Sequence, residues 1–286
     1  SLLALATALL LSTPAVVNAT SPSTVAVQPA QDKASQLNAL YEQYWEESLK
    51  LNPLRATFQG DPRYNDQLPN FLSAEFREQS LRFTRDWLQK IEAVGAEGLS
   101  GQDLLSYQIF VRDARNEIEG SHFPDWMQPI NQFYNIASTV VQLGSGTGAQ
   151  PFKTVQDYDN WQRRASRFPV LFDQAIANMR EGMAKGVVQP RPVMEKVLPQ
   201  LDAMIVARPE DSQFFAPLKA FPESIGAADR ERLTAAYVAA IRDEVIPAYV
   251  RLRDFVRDEY LPKTRGSVAW SALPDGQAWY AFYAQE

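Results

Sequence analysis

A chain of 286 residues with no cysteine, a single histidine and a net charge of −6 excludes a disulfide framework, thiolate chemistry and, since its Lys and Arg are scattered, nucleic-acid binding. Its densest basic spots, Arg163-Arg164 and Arg251/Arg253, sit near acids and read as solvated helix faces. The length is enough to bury a large core.

Residues Ser1 to Val17 form an apolar block leading into Val17-Asn18-Ala19, the pattern of a signal peptide cleaved after Ala19. Pro14 argues against a buried helix there. Met and a basic start are missing, so 1–19 is expected to be a partial signal peptide, clipped at the front. Residues 20–31 carry no charge and two prolines, and read as a flexible leader to a helical domain over 32–286. Export, to the periplasm in particular, follows, with no membrane association after signal cleavage.

From Asp32 to Leu51 the residues Leu37, Leu40, Tyr41, Tyr44, Trp45 and Leu49 make one stripe, and Asn52-Pro53 ends the helix. Ser73 caps a second helix that turns Phe76, Phe83, Trp87 and Ile91 inward and closes at Gly95 and Gly98. Ser100 with Asp103 resembles a capping box opening a third, with Leu104, Tyr107, Val111 and Ile118 on one face. The helical signal fades between Gly120 and Pro151, apart from one short candidate.

Thr154 with Asp157 repeats the capping pattern and starts a helix through Tyr158, Trp161 and Ala165 to Met179, which Pro169 should kink or split. A shorter helix opens at Pro192 and runs to about Val206. The longest segment, about 227–260, places Leu233, Tyr237, Ile241, Val245, Leu252 and Phe255 on one stripe, with a bend expected near Ile246 ahead of Pro247. The last stretch, from Leu261, gathers aromatics and stops inside what looks like a new element, so a cut at the back is expected as well. The whole predicts an all-α, multi-helix array with kinked long helices.

Local chemistry is sparse. A zinc hydrolase needs three protein ligands and a bound water, and this chain has only His122 and no His-Glu-x-x-His helix. A serine triad would have to use His122, whose neighbour Ser121 is badly placed as its nucleophile; a bond from the ring to its own loop is the better reading. Gly144-Ser-Gly-Thr-Gly148 lacks the Lys-Ser/Thr of a phosphate loop and reads as a flexible loop. Glu46/Glu47, Asp157/Asp159 and Asp258/Glu259 point apart on their helices and read as surface. No catalytic residue and no metal ligand is assigned in this chain.

Four segments carry a resemblance: Asn52-Pro53 through Phe58-Gln-Gly-Asp61 and Arg63; the helix from Tyr158 into Arg180-Glu-Gly-Met-Ala-Lys-Gly186 and Pro190; Arg257 to Pro262; and Leu273-Pro-Asp-Gly276 with Trp279-Tyr280. In their order and coverage they resemble the N-terminal half of the bacterial domain of unknown function 885, similar to helical gluzincin-type zinc metallopeptidases. The resemblance implies the helical scaffold and cleft wall of an exported zinc-dependent peptidase-like hydrolase. Its zinc and peptide substrate would belong to the full-length protein, since the family's metal motif lies downstream of Glu286; this chain alone is expected to be inactive.

The matching Asp275, Gly276 and Tyr280 are expected to line the approach to the substrate, with Asn131 and Gln132 as further candidates. Such a fragment should expose the surface around Trp270, Trp279 and Phe282. The alternative, a non-catalytic periplasmic binding or interaction protein complete as given, should not.

Overall fold

Helix formation follows the apolar stripes closely. The computed structural model describes residues 30–285, which are helical with no strand; the expected signal and most of the leader lie outside the described residues. Eleven α-helices occur among these residues: α1 (Ala30–Leu51), α2 (Pro53–Phe58), α3 (Ala74–Val94), α4 (Gly101–Gly120), α5 (Ile136–Gly144), α6 (Val155–Ala165), α7 (Phe168–Lys185), α8 (Arg191–Asp202), α9 (Ala227–Ala240), α10 (Ile246–Asp254) and α11 (Gly276–Tyr283).

Asn52-Pro53 ends α1 and at once starts α2, because Asn52 Oδ1 accepts from the Arg55 N–H and a proline at the first turn has no N–H to leave unpaired. Ser73 caps α3 through a bond from the Phe76 N–H, and Gly95 closes it in the positive-φ region at 76°. At α4 the expected capping box does not form: Ser100 occupies the N-cap position but makes no side-chain cap bond. Gly101 takes φ +55, which turns the first peptide out of helical geometry. At α6 both halves of the Thr154–Asp157 box are present.

Pro169 splits the expected long helix. α6 stops at Ala165, and α7 restarts at Phe168 with the proline in its first turn. The segment ending at Tyr260 is continuous, and instead of a simple bend it holds two π turns, Ile241–Val245 and Phe255–Tyr260, directly ahead of Pro247 and Pro262. In them the Ile246 N–H bonds the Ile241 carbonyl and the Leu261 N–H the Val256 carbonyl, five residues back. A proline ring would press on the carbonyl four residues earlier, and the wider turn moves that carbonyl aside.

Three apolar clusters result. The largest joins α5 to α10 and their flanking turns, around Trp161, Phe168, Phe172, Tyr249 and Leu252. A second lies between α1, α3 and α4, around Leu37, Ile91 and Val111. Lys33 reaches the Glu97 carbonyl while Glu47 accepts from Trp87 Nε1, so α1 and α3 run antiparallel. The third is small: Met127, Val187, Leu273 and Trp279, with Phe123 and Trp126 against them.

Two sequence expectations are overturned here. Arg164 is fully buried, not part of a solvated face. Its Nε donates to the Gln67 carbonyl, Nη1 to Gln150 Oε1, and Nη2 to Thr57 Oγ1 and the Tyr64 carbonyl. This guanidinium ties the turn after α2 to α6 with no carboxylate partner, and burial lowers its pKa to about 10 against the pull of Asp66. Of the surface expected to be exposed, Trp270 is, at 36%, but Trp279 and Phe282 are buried, at 2% and 7%, because Phe123 stacks on Trp279 at 6.0 Å and Gly120 leaves room for the Phe282 ring.

The glycine run after α5 is not a loose loop either. A Cβ on Gly144 would lie 2.2 Å from the Trp161 ring, so that residue is glycine for close packing.

Candidate functional site

Val187, directly after one of the segments singled out above, packs with Leu273 and Trp279 of another in the third cluster, and the segment Arg257 to Pro262 is tied to the same stretch beside it. Arg180 on α7 forks onto Glu259 through Nε and Nη2 at 3.0 and 2.6 Å. The Tyr260 hydroxyl accepts from the Gln189 N–H at 2.9 Å, and burial pushes its pKa up to about 12, opposed by that bond and by Arg265. The chain from 187 to 191 then runs beside Arg265 in a parallel bridge: the Arg265 N–H meets the Gln189 carbonyl, the Arg191 N–H meets the Arg265 carbonyl, and Arg265 Nε donates to the Val188 carbonyl. Arg265 Nη1 holds the Ala269 carbonyl, which fixes the approach to α11.

At the start of α11, Asp275 is the one non-glycine residue at positive φ among the described residues, at 51°. Its left-handed backbone turns the chain sharply into the helix, at a cost of order 1–2 kcal/mol that the packing around it absorbs. Gly276 is buried, and a Cβ there would sit 1.8 Å from the Trp270 carbonyl oxygen, so its hydrogen side chain is a packing requirement. Asp275 and Tyr280 face solvent, Tyr280 at 62% exposure. The three residues therefore sit at one helix start, with Gly276 inside and the other two outside.

Asn131 and Gln132 lie on the 125–135 segment, which runs from Met127 of the third cluster to Ile130 of the largest. Asn131 Oδ1 accepts from the N–H groups of Phe133 and Tyr134, both at 2.8 Å, and its carbonyl accepts from Asn135 Nδ2. This tight turn pushes the rings of Phe133 and Tyr134 out to 76% and 81% exposure. Gln132 gives its carbonyl to Gln200 Nε2 but leaves its own Oε1 buried without a partner. Gln128 Nε2 and Trp279 Nε1 are likewise buried and unpaired.

Buried amide and indole groups without partners are uncommon, because each forfeits roughly 1–3 kcal/mol of lost hydration. The donors of Trp279, in the third cluster, and of Gln128, next to Met127 of that cluster, suit hydrogen bonding to a neutral carbonyl oxygen, whereas the Gln132 acceptor belongs to the stretch that meets Gln200. Sequence reasoning reached Gln132 and missed Gln128, Gln189, Tyr260 and Arg265. Their only signal was their position in or beside the segments that carry the resemblance.

The remaining candidates are absorbed by structure. His122 is exposed, with Nδ1 2.9 Å from the Glu119 carbonyl, the local bond expected from the sequence. Glu46 pairs with Arg63, Asp157 caps α6, Asp159 pairs with Arg232 and Asp258 with Arg257. Among the described residues no three or more His, Cys, Asp or Glu side chains are grouped so as to hold a metal, so the zinc implied by the resemblance does not fit this part of the chain. None of the described helices is long and apolar enough to cross a membrane.

Comparison with solved structures finds a protein of Colwellia psychrerythraea, described as a candidate lipoprotein. It superposes with a TM-score of 0.69 at 18% identity, covering 89% of this chain and 45% of its own. The chain thus spans less than half the length of that relative, and the likeness establishes the all-α fold. No curated protein matches. The family described as bacterial protein of unknown function (DUF885) matches residues 53–286, and the chain belongs to it.

Proposed function

We propose that this chain supplies the helical scaffold and one wall of the substrate cleft in an exported, zinc-dependent peptidase-like hydrolase, whose metal ligands lie on sequence outside it. The observation that carries this reading is the third cluster, where Val187 meets Leu273 and Trp279 and where Trp279 and Gln128, next to Met127, leave buried hydrogen-bond donors unpaired. Such donors match the carbonyl oxygens of a peptide backbone. Asp275 and Tyr280 stand at the entrance to that face, and Gly276 lets the entrance close down on Trp270. Export is supported by the apolar start of the sequence and by the lipoprotein description of the relative.

The test is zinc content and chelator-sensitive peptide hydrolysis, measured on this chain and on the longer product of the same reading frame. The expected result is one zinc and hydrolysis in the longer protein only. One tightly held zinc in this chain, or chelator-sensitive cleavage by it, sinks the assignment.

A second reading, a periplasmic helical binding protein without catalysis, is favoured by one observation: Trp279 and Phe282 are covered. It predicts cooperative unfolding of this chain, no binding of apolar dye, and no zinc in either product.

A further inference from the structure

Between α1, α3 and α4 lies a cavity of about 440 Å³, away from the face just described. Along α4 it is lined by Ser106, Ile109, Phe110, Asp113, Ala114 and Glu117. Those positions are spaced i, i+3, i+4, i+7, i+8 and i+11, one continuous stripe, so the cavity is a trough about 16 Å long at the helical rise of 1.5 Å per residue. α1 contributes Tyr41, Tyr44 and Trp45, and α3 contributes Thr84 and Trp87.

The walls are aromatic and already ordered by one another. Tyr44 meets Phe110 edge-on at 4.9 Å and Trp87 at 5.7 Å, while Tyr41 lies 5.7 Å from Phe110. Trp87 is fixed further by its bond to Glu47. Tyr44 and Phe110, held in place this way, are partly exposed and meet a ligand at little entropic cost, while Trp87, at 1% exposure and with Lys90 Nζ 3.9 Å over its ring, backs the trough.

Two polar side chains lining the trough make no hydrogen bond within the fold, one buried and one exposed. The Tyr41 hydroxyl is buried with no partner. Arg55 lays its guanidinium over the Trp45 ring at 5.2 Å and has no carboxylate partner among the described residues. The acids nearby differ: Asp113 is engaged by Arg112 at 2.7 Å, whereas Glu117 has only Ser80, at 3.5 Å. A free guanidinium at an aromatic rim suits a planar carboxylate, which it grips with two parallel bonds.

We infer that this trough is a binding site for a small aromatic carboxylate, its ring among Tyr44, Trp87 and Phe110 and its carboxylate on Arg55. The test is titration calorimetry of the full chain with indole-3-acetate and with tryptamine, which share a ring system and carry opposite charges. Indole-3-acetate binds one to one, and tryptamine binds at least roughly tenfold more weakly.

Arg55→Gln reduces indole-3-acetate affinity by about tenfold or more, the loss expected for a charge-assisted contact. Its unfolding midpoint moves little, since the side chain makes no hydrogen bond in the fold and the exposed Trp45 contact it loses is a weak one. Ser106→Phe, which narrows the trough from its rim, also abolishes binding. Tryptamine binding as tightly as indole-3-acetate, affinity insensitive to Arg55→Gln, or no heat from either probe up to its solubility overturns the proposal.

Discussion

Replacing Arg164 by methionine removes a buried charge and four hydrogen bonds at once, and their balance can be worked from the structure. The pKa of about 10 against an ordinary 12.5 means that holding the charge inside costs on the order of 3 kcal/mol, at about 1.36 kcal/mol per unit. The four bonds to the Gln67 and Tyr64 carbonyls, Gln150 and Thr57 are charge-assisted, each of roughly 1.5–3 kcal/mol. The bonds outweigh the charge, and because they share one guanidinium the lower end of the sum applies.

Arg164→Met is therefore expected to destabilise by about 3–5 kcal/mol, read from urea unfolding followed by circular dichroism. Arg164→Lys keeps the charge but loses the fork, so it should be no better than Met. A loss under about 1 kcal/mol for Met, or full rescue by Lys, would refute the view that the fork, not the charge, holds this turn.

The two N-caps give a paired test: Thr154→Ala, which breaks a formed box, should cost about 1 kcal/mol, while Ser100→Ala should stay within about 0.5. Equal losses in thermal unfolding would count against the difference in geometry. The buried Tyr260 has its pKa raised to about 12, so its share of stability is complete below pH 10 and lost as pH rises toward 12. Tyr158, Tyr237 and Tyr249 are raised for the same first reason, burial, and act in the same direction. Alkaline unfolding should thus begin near pH 10 and be less steep in Tyr260→Phe; an unchanged slope in stability against pH would contradict this.

Most helices were legible because their apolar stripes, caps and breaking residues are local: Leu37 to Leu49, Ser73, Thr154 and Pro169 act within a turn or two of themselves. Arg164 was misread although its position was informative, since it follows Trp161 by three residues and precedes Ala165 on the buried side of α6. Charge outweighed position in that reading, and three of the four acceptors that make the burial tolerable come from residues about a hundred positions earlier in the chain. The burial of Trp279 and Phe282 depended in the same way on Phe123 and Gly120, which local spacing cannot bring near α11. Of the candidate site, Gly276 and Gln132 were named, though the reason for Gly276 proved to be contact with Trp270. The unpaired groups of Gln128 and Trp279 could not be named, because being unpaired is a property of the assembled face.

The π turns in the segment ending at Tyr260 keep a spiral from drifting. Leu233, Tyr237, Ile241, Val245 and Tyr249 recur every fourth residue and are all buried. In a plain α-helix each such step overshoots a full turn by about 40°, so four steps would carry the last residue roughly 160° away from the first, toward solvent. A turn that closes five residues back under-rotates over the same four residues and returns the phase. Ile241–Val245 thus acts as a vernier, letting one straight run of residues keep a single core in view from Leu233 to the Tyr249 ring.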